Sequence, residues 1–390
     1  MTINRRHLLQ AAALTPLTRL AVAAAPSASS RRFVFVILRG GLDGQTAAPA
    51  IGDPAFAEAR GPLGQFAGEP LKLDTTFALN PLLPQLHAMY GRGELALLQA
   101  VGLPYRERSH FDAQQVLESG GTRPHELATG WLGRALSASS GTGGLRAVAL
   151  ETAVPLVLRG PVEVDTWAPS ALPEPSPDLV TRLEAMYAGD PALAQALARA
   201  RGLRDEPGMA ANIERTGGGR GAAVALARKA AEFLQRGSQI AVLEMGGWDS
   251  HTNQAAPNGA TSNNLRTLDA ALAALREGLL PNEAWKQTVV LVATEFGRQV
   301  AVNGTGGTDH GSGGAAFLLG GAVRGGRVLA DWPGLAAKER YEGRDLRITT
   351  ELRVVMRGVL ADHLQVARAT LDRDVFPGAS GLKSPDLLRA

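Results

Sequence analysis

The sequence predicts an α/β fold: a mainly parallel central sheet with helices on both faces. Three observations predict it. Apolar, β-branched runs recur, as in RFVFVIL at 32–38 and QTVVLVA at 287–293. Segments with helical spacing alternate with them, the order a parallel sheet covered on both faces requires. The polar chemistry sits in short segments, several directly after such a run. In α/β proteins the carboxyl ends of the strands share one rim, and ligands bind there.

The elements follow in order. The run at 32–38 reads as a buried strand, 79–94 as a helix and 95–101 (LALLQAV) as the next strand. Helical spacing covers 111–119 and 126–139, before a strand at 145–150. Residues 152–175 are Pro-rich and irregular. An Ala/Leu/Arg-rich helix is expected over 177–203, and the glycines at 217–221 open another that runs to about residue 236. The alternation then resumes with a strand at 239–245, a helix at 263–278, strands at 287–293 and 315–319, and a last helix over 350–365. One domain over 32–390, with a helical lobe inserted near 152–236, is the simplest organisation.

The first residues carry a different signal. Asn4-Arg5-Arg6-His7-Leu8-Leu9-Gln10 is a basic segment with paired arginines, followed by a mildly apolar stretch to Ala25. This reads as a twin-arginine export signal over 1–25, and the protein is expected in the periplasm or secreted. The chain has 40 Lys plus Arg against 37 Asp plus Glu. Arg5, Arg6 and Arg19 lie in the signal and no acid does, so the remainder is formally neutral. No basic tail remains to favour a nucleic-acid partner, and no later stretch has transmembrane length. The chain has no cysteine, which excludes thiolate catalysis, Cys-zinc sites and iron–sulfur clusters. Metal ligands are restricted to Asp, Glu, His, hydroxyls and carbonyls.

Asp43 follows the first strand in RGGLDG, where a carboxylate reaches a metal or forms an Asx turn before Gly44. Ser109 lies between the second strand and a helix. Free N–H groups and the positive dipole end there favour an alkoxide nucleophile and an anionic ester; equally, a serine there is an N-cap. His110 is the second catalytic candidate, and Arg106 and Arg108 are placed to grip phosphate or sulfate. Asp249 and His251 follow a strand through GGWDSH and can flank one ion or form a capped turn. Glu295 closes the strongest central strand, so it needs a metal, an arginine such as Arg298, or a proton. Asp309 and His310 sit in a Gly/Thr loop before the next strand. His87, His125 and His363 read as packed or solvated histidines.

Together the segments LRGGLDG, SHFDAQQVLESG, GWLGRAL, GGWDSHTNQ and TEFGR with GGTDHG resemble the domain-of-unknown-function 1501 family. That family is similar to the alkaline phosphatase and sulfatase superfamily and is typically exported by the twin-arginine route. The resemblance implies an α/β core, one or two divalent ions at the carboxyl rim, and a Ser, Thr or formylglycine nucleophile. It implies Asp43 as a metal ligand and Ser109 as the nucleophile. Asp249 and His251 match a metal-binding Asp…His pair at shorter spacing, and Asp309 and His310 the last metal segment. Glu295-Phe296 stands where an Asp-His pair is usual, and Phe296 cannot ligate, so His310 would have to replace the missing ligand. With no cysteine, and without the usual modification motif around Ser109, no formylglycine forms.

The resulting expectation is an exported hydrolase of phosphate or sulfate esters that uses zinc, manganese, magnesium or calcium. Asp43, Asp249, His251, Glu295, Asp309 and His310 would hold metal, and Arg39, Arg108 and Arg298 would hold a small anionic ester or glycan substrate. The alternative is a non-catalytic, metal- or glycan-binding accessory protein of the same fold.

Overall fold

A computed structural model describes residues 31–139, 146–169, 176–205, 219–379, 381 and 384–389. The expected export signal lies outside the described residues. The strands are β1 (Arg32–Leu38), β2 (Leu71–Lys72), β3 (Ala78–Leu79), β4 (Leu95–Gly102), β5 (Ala147–Ala149), β6 (Asp165–Thr166), β7 (Ile240–Met245), β8 (Thr288–Thr294), β9 (Gly314–Leu319), β10 (Arg327–Leu329) and β11 (Thr350–Glu351). The helices are α1 (Gly44–Ala47), α2 (Phe56–Arg60), α3 (Pro84–Gly91), α4 (His110–Ser119), α5 (Trp131–Ala138), α6 (Pro177–Tyr187), α7 (Pro191–Asp205), α8 (Arg220–Gln235), α9 (Ala260–Leu279), α10 (Leu352–Asp362) and α11 (Arg368–Thr370).

The central sheet runs β10-β4-β9-β8-β1-β7-β5-β6, with β11 also paired to β4. β9 is antiparallel to β4 and β8, and the other pairs are parallel. This is the expected mainly parallel α/β architecture. Side chains alternate across a strand, so β1 feeds two cores. Val34, Val36 and Leu38 pack on one face with α3, α8 and α9. Phe33, Phe35 and Ile37 pack on the other with α4, α5 and α10. There the Trp131 ring meets Phe35 edge-on at 5.4 Å. Burial on both faces explains why these strands read as unbroken apolar runs.

Two helices differ from expectation at prolines. The segment 177–203 forms two helices because Pro191 starts the second and Asp190 Oδ1 caps it through Ala192 N and Leu193 N. The helix expected from 79 starts at Pro84, because Ala78–Leu79 pairs with β2. In the region expected as a lobe, α6 buries no residue, whereas α8 buries Ala227, Ala230, Ala231, Phe233 and Leu234. Among the described residues no helix is long and apolar enough to cross a membrane.

Register brings the loops together. Leu38 pairs with Thr294 and with Met245, so β1, β8 and β7 end at one level. The antiparallel β9 begins there, and Val101 of β4 pairs with its Gly314. The loops after β1, β4, β7 and β8, the last of them leading into β9, therefore share one edge. Gly40 has φ +120°, and a Cβ there would lie 2.5 Å from Asp249 N, so only glycine lets the first loop meet the β7 loop this closely.

Candidate metal centre

Three of these loops deliver the polar side chains of one cluster. His110 opens α4, directly after Ser109. Glu295 follows β8 and is buried, accepting from Gly40 N at 2.8 Å, Gln114 Nε2 at 3.0 Å and Thr294 Oγ1 at 2.9 Å. Asp249 and His251 come from the β7 loop, and Asp309 and His310 from the loop between β8 and β9. Single bridges between Thr252 and Gly306 and between Arg298 and His310 pin these loops together.

Three imidazoles are oriented alike. His110 Nδ1 faces Glu295 Oε1 at 2.9 Å, His251 Nδ1 faces Asp309 Oδ1 at 3.1 Å, and His310 Nδ1 faces the Arg108 carbonyl at 2.9 Å. Carboxylates and carbonyls only accept, so each Nδ1 carries a proton, and in the neutral ring each Nε2 bears a lone pair. The Nε2 atoms of His110 and His251 both approach that of His310. His310 Nε2 lies 3.0 Å from that of His110 and 3.0 Å from that of His251. Asp249 completes the group, with Oδ1 2.9 Å from His251 Nε2 and 3.2 Å from His310 Nε2, and Oδ2 3.4 Å from His110 Nε2.

Lone-pair donors facing one another repel unless a positive charge lies among them. One proton can bridge one such pair but cannot serve two nitrogens and a carboxylate together. A cation can. Donors held about 2.0–2.1 Å from a tetrahedral zinc are about 3.3 Å apart, close to the observed separations. His110, Asp249 and His310 satisfy metal-site spacing among the described residues; His251 touches His310 and Asp249 but falls outside that group. The donor set therefore fits a divalent ion.

The electrostatics agree. Burial pushes the Asp249 carboxyl up, but the hydrogen bond and charge of Arg298 outweigh it and hold the group below the usual carboxylate range. Glu295 is likewise held down against its burial by His110 and Gln114. Asn303 and His251 lower Asp309. The Glu295 hydrogen bond raises His110, whereas burial lowers His310. The opposite shifts of neighbouring rings favour one proton, or one cation, shared in the cluster over three protonated rings.

Seven of the expected site residues thus meet: His110, Asp249, His251, Glu295, Arg298, Asp309 and His310. Glu295 and Asp309 stand behind the histidines as orienting acceptors. Arg298 is fully buried, donating from NH1 to Asp249 Oδ1 at 2.6 Å and from Nε to Thr308 Oγ1 at 3.2 Å.

Four others do not join the cluster. Asp43 caps α1 through Gln45 N and Thr46 N, and its Oδ2 takes hydrogen bonds from Arg60 at 2.6 Å, Thr46 Oγ1 at 2.9 Å and Gln254 Nε2. Arg39 is bound by Glu118 at 2.7 Å and by Glu244. Arg108 is bound by Asp345 at 2.8 Å and Glu342 at 2.6 Å. Ser109 is the N-cap of α4, but its side chain makes no capping bond. Instead it lies against the Tyr105 hydroxyl, which donates to Asp112 at 3.0 Å. Sequence reasoning missed Arg60, Gln254, Asn303 and Tyr105; Gln254 stands within the GGWDSHTNQ segment, but nothing local marks its role.

The family model described as "Protein of unknown function (DUF1501)" matches residues 90–374. No curated protein matches the chain. Among solved structures, the chain is similar to Ps i-CgsB in complex with k-i-k-neocarrahexaose, at 9% identity and TM-score 0.45, covering 86% of this chain and 72% of that one. It is similar to the phosphonate monoester hydrolase of Agrobacterium radiobacter, at 12% identity and TM-score 0.43, covering 86% and 74%. It is also similar to a 2-O GAG sulfatase, at 13% identity and TM-score 0.42, covering 92% and 76%. At these levels no function passes from those proteins to this one.

Proposed function

The chain belongs to the DUF1501 family, whose function is unknown, and from that premise we propose that it is an exported metal-dependent hydrolase of phosphate or sulfate esters. One observation carries the reading: the Nε2 atoms of His110 and His310 and the Asp249 carboxylate lie at metal-ligand spacing. These three residues would hold one ion, with His251 beside them. Two imidazoles and a carboxylate suit zinc or manganese better than magnesium or calcium, which take oxygen ligands. A second ion at Asp43 is disfavoured, because Arg60, Thr46, Gln254 and two backbone N–H groups already occupy its oxygens.

When bound, such an ion supplies Lewis acidity and a lowered pKa for an attacking oxygen. The protein's own groups do the rest. Glu295, Asp309 and the Arg108 carbonyl hold the rings in register. Arg298 fixes Asp249. Ser109 offers a hydroxyl beside His110, and its proton can pass to Tyr105 Oη and on to Asp112 Oδ2. The first-turn N–H groups of α4, left without a side-chain cap, face developing negative charge. Residues 1–25 are proposed as the twin-arginine signal, with release to the periplasm or outside.

A second reading is a non-catalytic metal- or glycan-binding accessory protein. It is favoured by the pairing of Arg39, Arg108 and Arg298 with carboxylates, which leaves none of the three free for an anionic ester. A screen of aryl phosphate and sulfate esters with the metal-loaded protein separates the two. Turnover that chelation abolishes supports the hydrolase; no turnover with metal bound supports the accessory protein.

A further inference from the structure

Away from the histidine cluster, α8 and α9 border an open groove of about 550 Å³. Arg220, Val224 and Arg228 line it from α8, four residues apart and therefore on one helix face. Arg266 lines it from α9, where Ala270, Ala273 and Ala274 leave room that longer side chains would fill. No lining residue belongs to the cluster.

The charges here differ from those at the rim. Arg39, Arg60, Arg108 and Arg298 are each held by a carboxylate. Among the described residues Arg220 and Arg228 make no ion pair, and Arg266 meets only the Asn263 amide oxygen at 3.3 Å. Two acids line the groove. Asp269 is buried and takes the N–H groups of Gln85 and Leu86 at the start of α3, at 3.2 and 2.9 Å. Glu277 lies near Arg276, whose guanidinium is held by Glu94 at 2.8 and 2.9 Å. The three guanidinium groups are thus left for an external anion. Arg220 and Arg228 are about 12 Å apart along the helix, too far for one phosphate or sulfate but suited to a chain with repeated charges. No aromatic side chain lines the groove, so stacked bases find no platform.

We propose that this groove binds a linear anionic polysaccharide, sulfated or carboxylated. The inference is independent of the reading of the metal centre. Its test is the binding of dextran sulfate oligomers to the metal-loaded protein at low and moderate salt, with neutral dextran as control. The R220S/R228S/R266S protein should bind at least tenfold more weakly, with a flatter salt dependence. The R182S/R324S/R368S protein, altered at exposed arginines elsewhere, should bind within twofold of wild type. If the groove variant fails to fold, Arg228→Gln alone should still weaken binding about threefold. Absence of binding by wild type, equal losses in both triple variants, or tighter binding of a single-stranded oligonucleotide would overturn the proposal. Metal content and small-ester turnover of the groove variant should stay at wild-type levels, so failure here leaves the metal centre untouched.

Discussion

The Nε2 atoms of His110 and His310 stand 3.0 Å apart, while their Nδ1 atoms face Glu295 and the Arg108 carbonyl. In the neutral rings both facing nitrogens bear lone pairs, and a shared cation relieves their repulsion. Asp249 meets the same point from the β7 loop, with His251 Nε2 beside it at 2.9 Å.

If Glu295 orients His110 without touching the ion, Glu295→Ala should weaken zinc binding about 10–100-fold without changing its stoichiometry. Isothermal titration of the apoprotein measures both. Undiminished affinity would show that His110 needs no orienting partner.

Arg60 and Asp43 form a buried pair with side chains 0% and 3% exposed. Arg60→Ala leaves that carboxylate buried without its cation, so stability should fall by about 3–5 kcal/mol. Urea denaturation of the metal-loaded protein reads the loss. The variant should still load a single ion; gain of a second would restore Asp43 as a ligand.

Ser109→Ala should abolish turnover if its hydroxyl attacks the ester. Tyr105→Phe, which breaks the link to Asp112, should lower kcat with little change in KM. Full turnover by the Ser109 variant would assign attack to water.

Burial holds His363 well below its ordinary value, from 6.5 to about 4, with Nε2 donating to the Arg32 carbonyl at 2.9 Å. The unfolded chain takes up this proton near pH 6.5 and the folded chain only near pH 4. Stability is therefore whole above 6.5 and is lost as pH falls toward 4, by about 3 kcal/mol from this group. His363→Gln should flatten the pH dependence of urea denaturation across that window. An unchanged slope would mean that the ring is protonated in the fold.

Much of this was legible in the sequence. β1 and β8 read as strands because both faces of each are buried. Asp249, His251, Asp309 and His310 read as ligand candidates because they stand in Gly-rich segments next to strands. The split between ligands and orienting acceptors was not legible, since it depends on which ring nitrogen faces which partner across 185 residues for His110 and Glu295. The fate of Asp43 depended on Arg60 and Gln254, which arrive from separate elements. β2, β3, β6, β10 and β11 are too short, at two or three residues, to show a period.

The most direct test is the metal content of protein purified from the periplasm without chelator, beside Asp249→Ala. The expected result is about one equivalent of zinc or manganese in the wild type and almost none in the variant. A wild type with no stoichiometric metal, or a variant that keeps its ion, would contradict the centre of His110, Asp249 and His310.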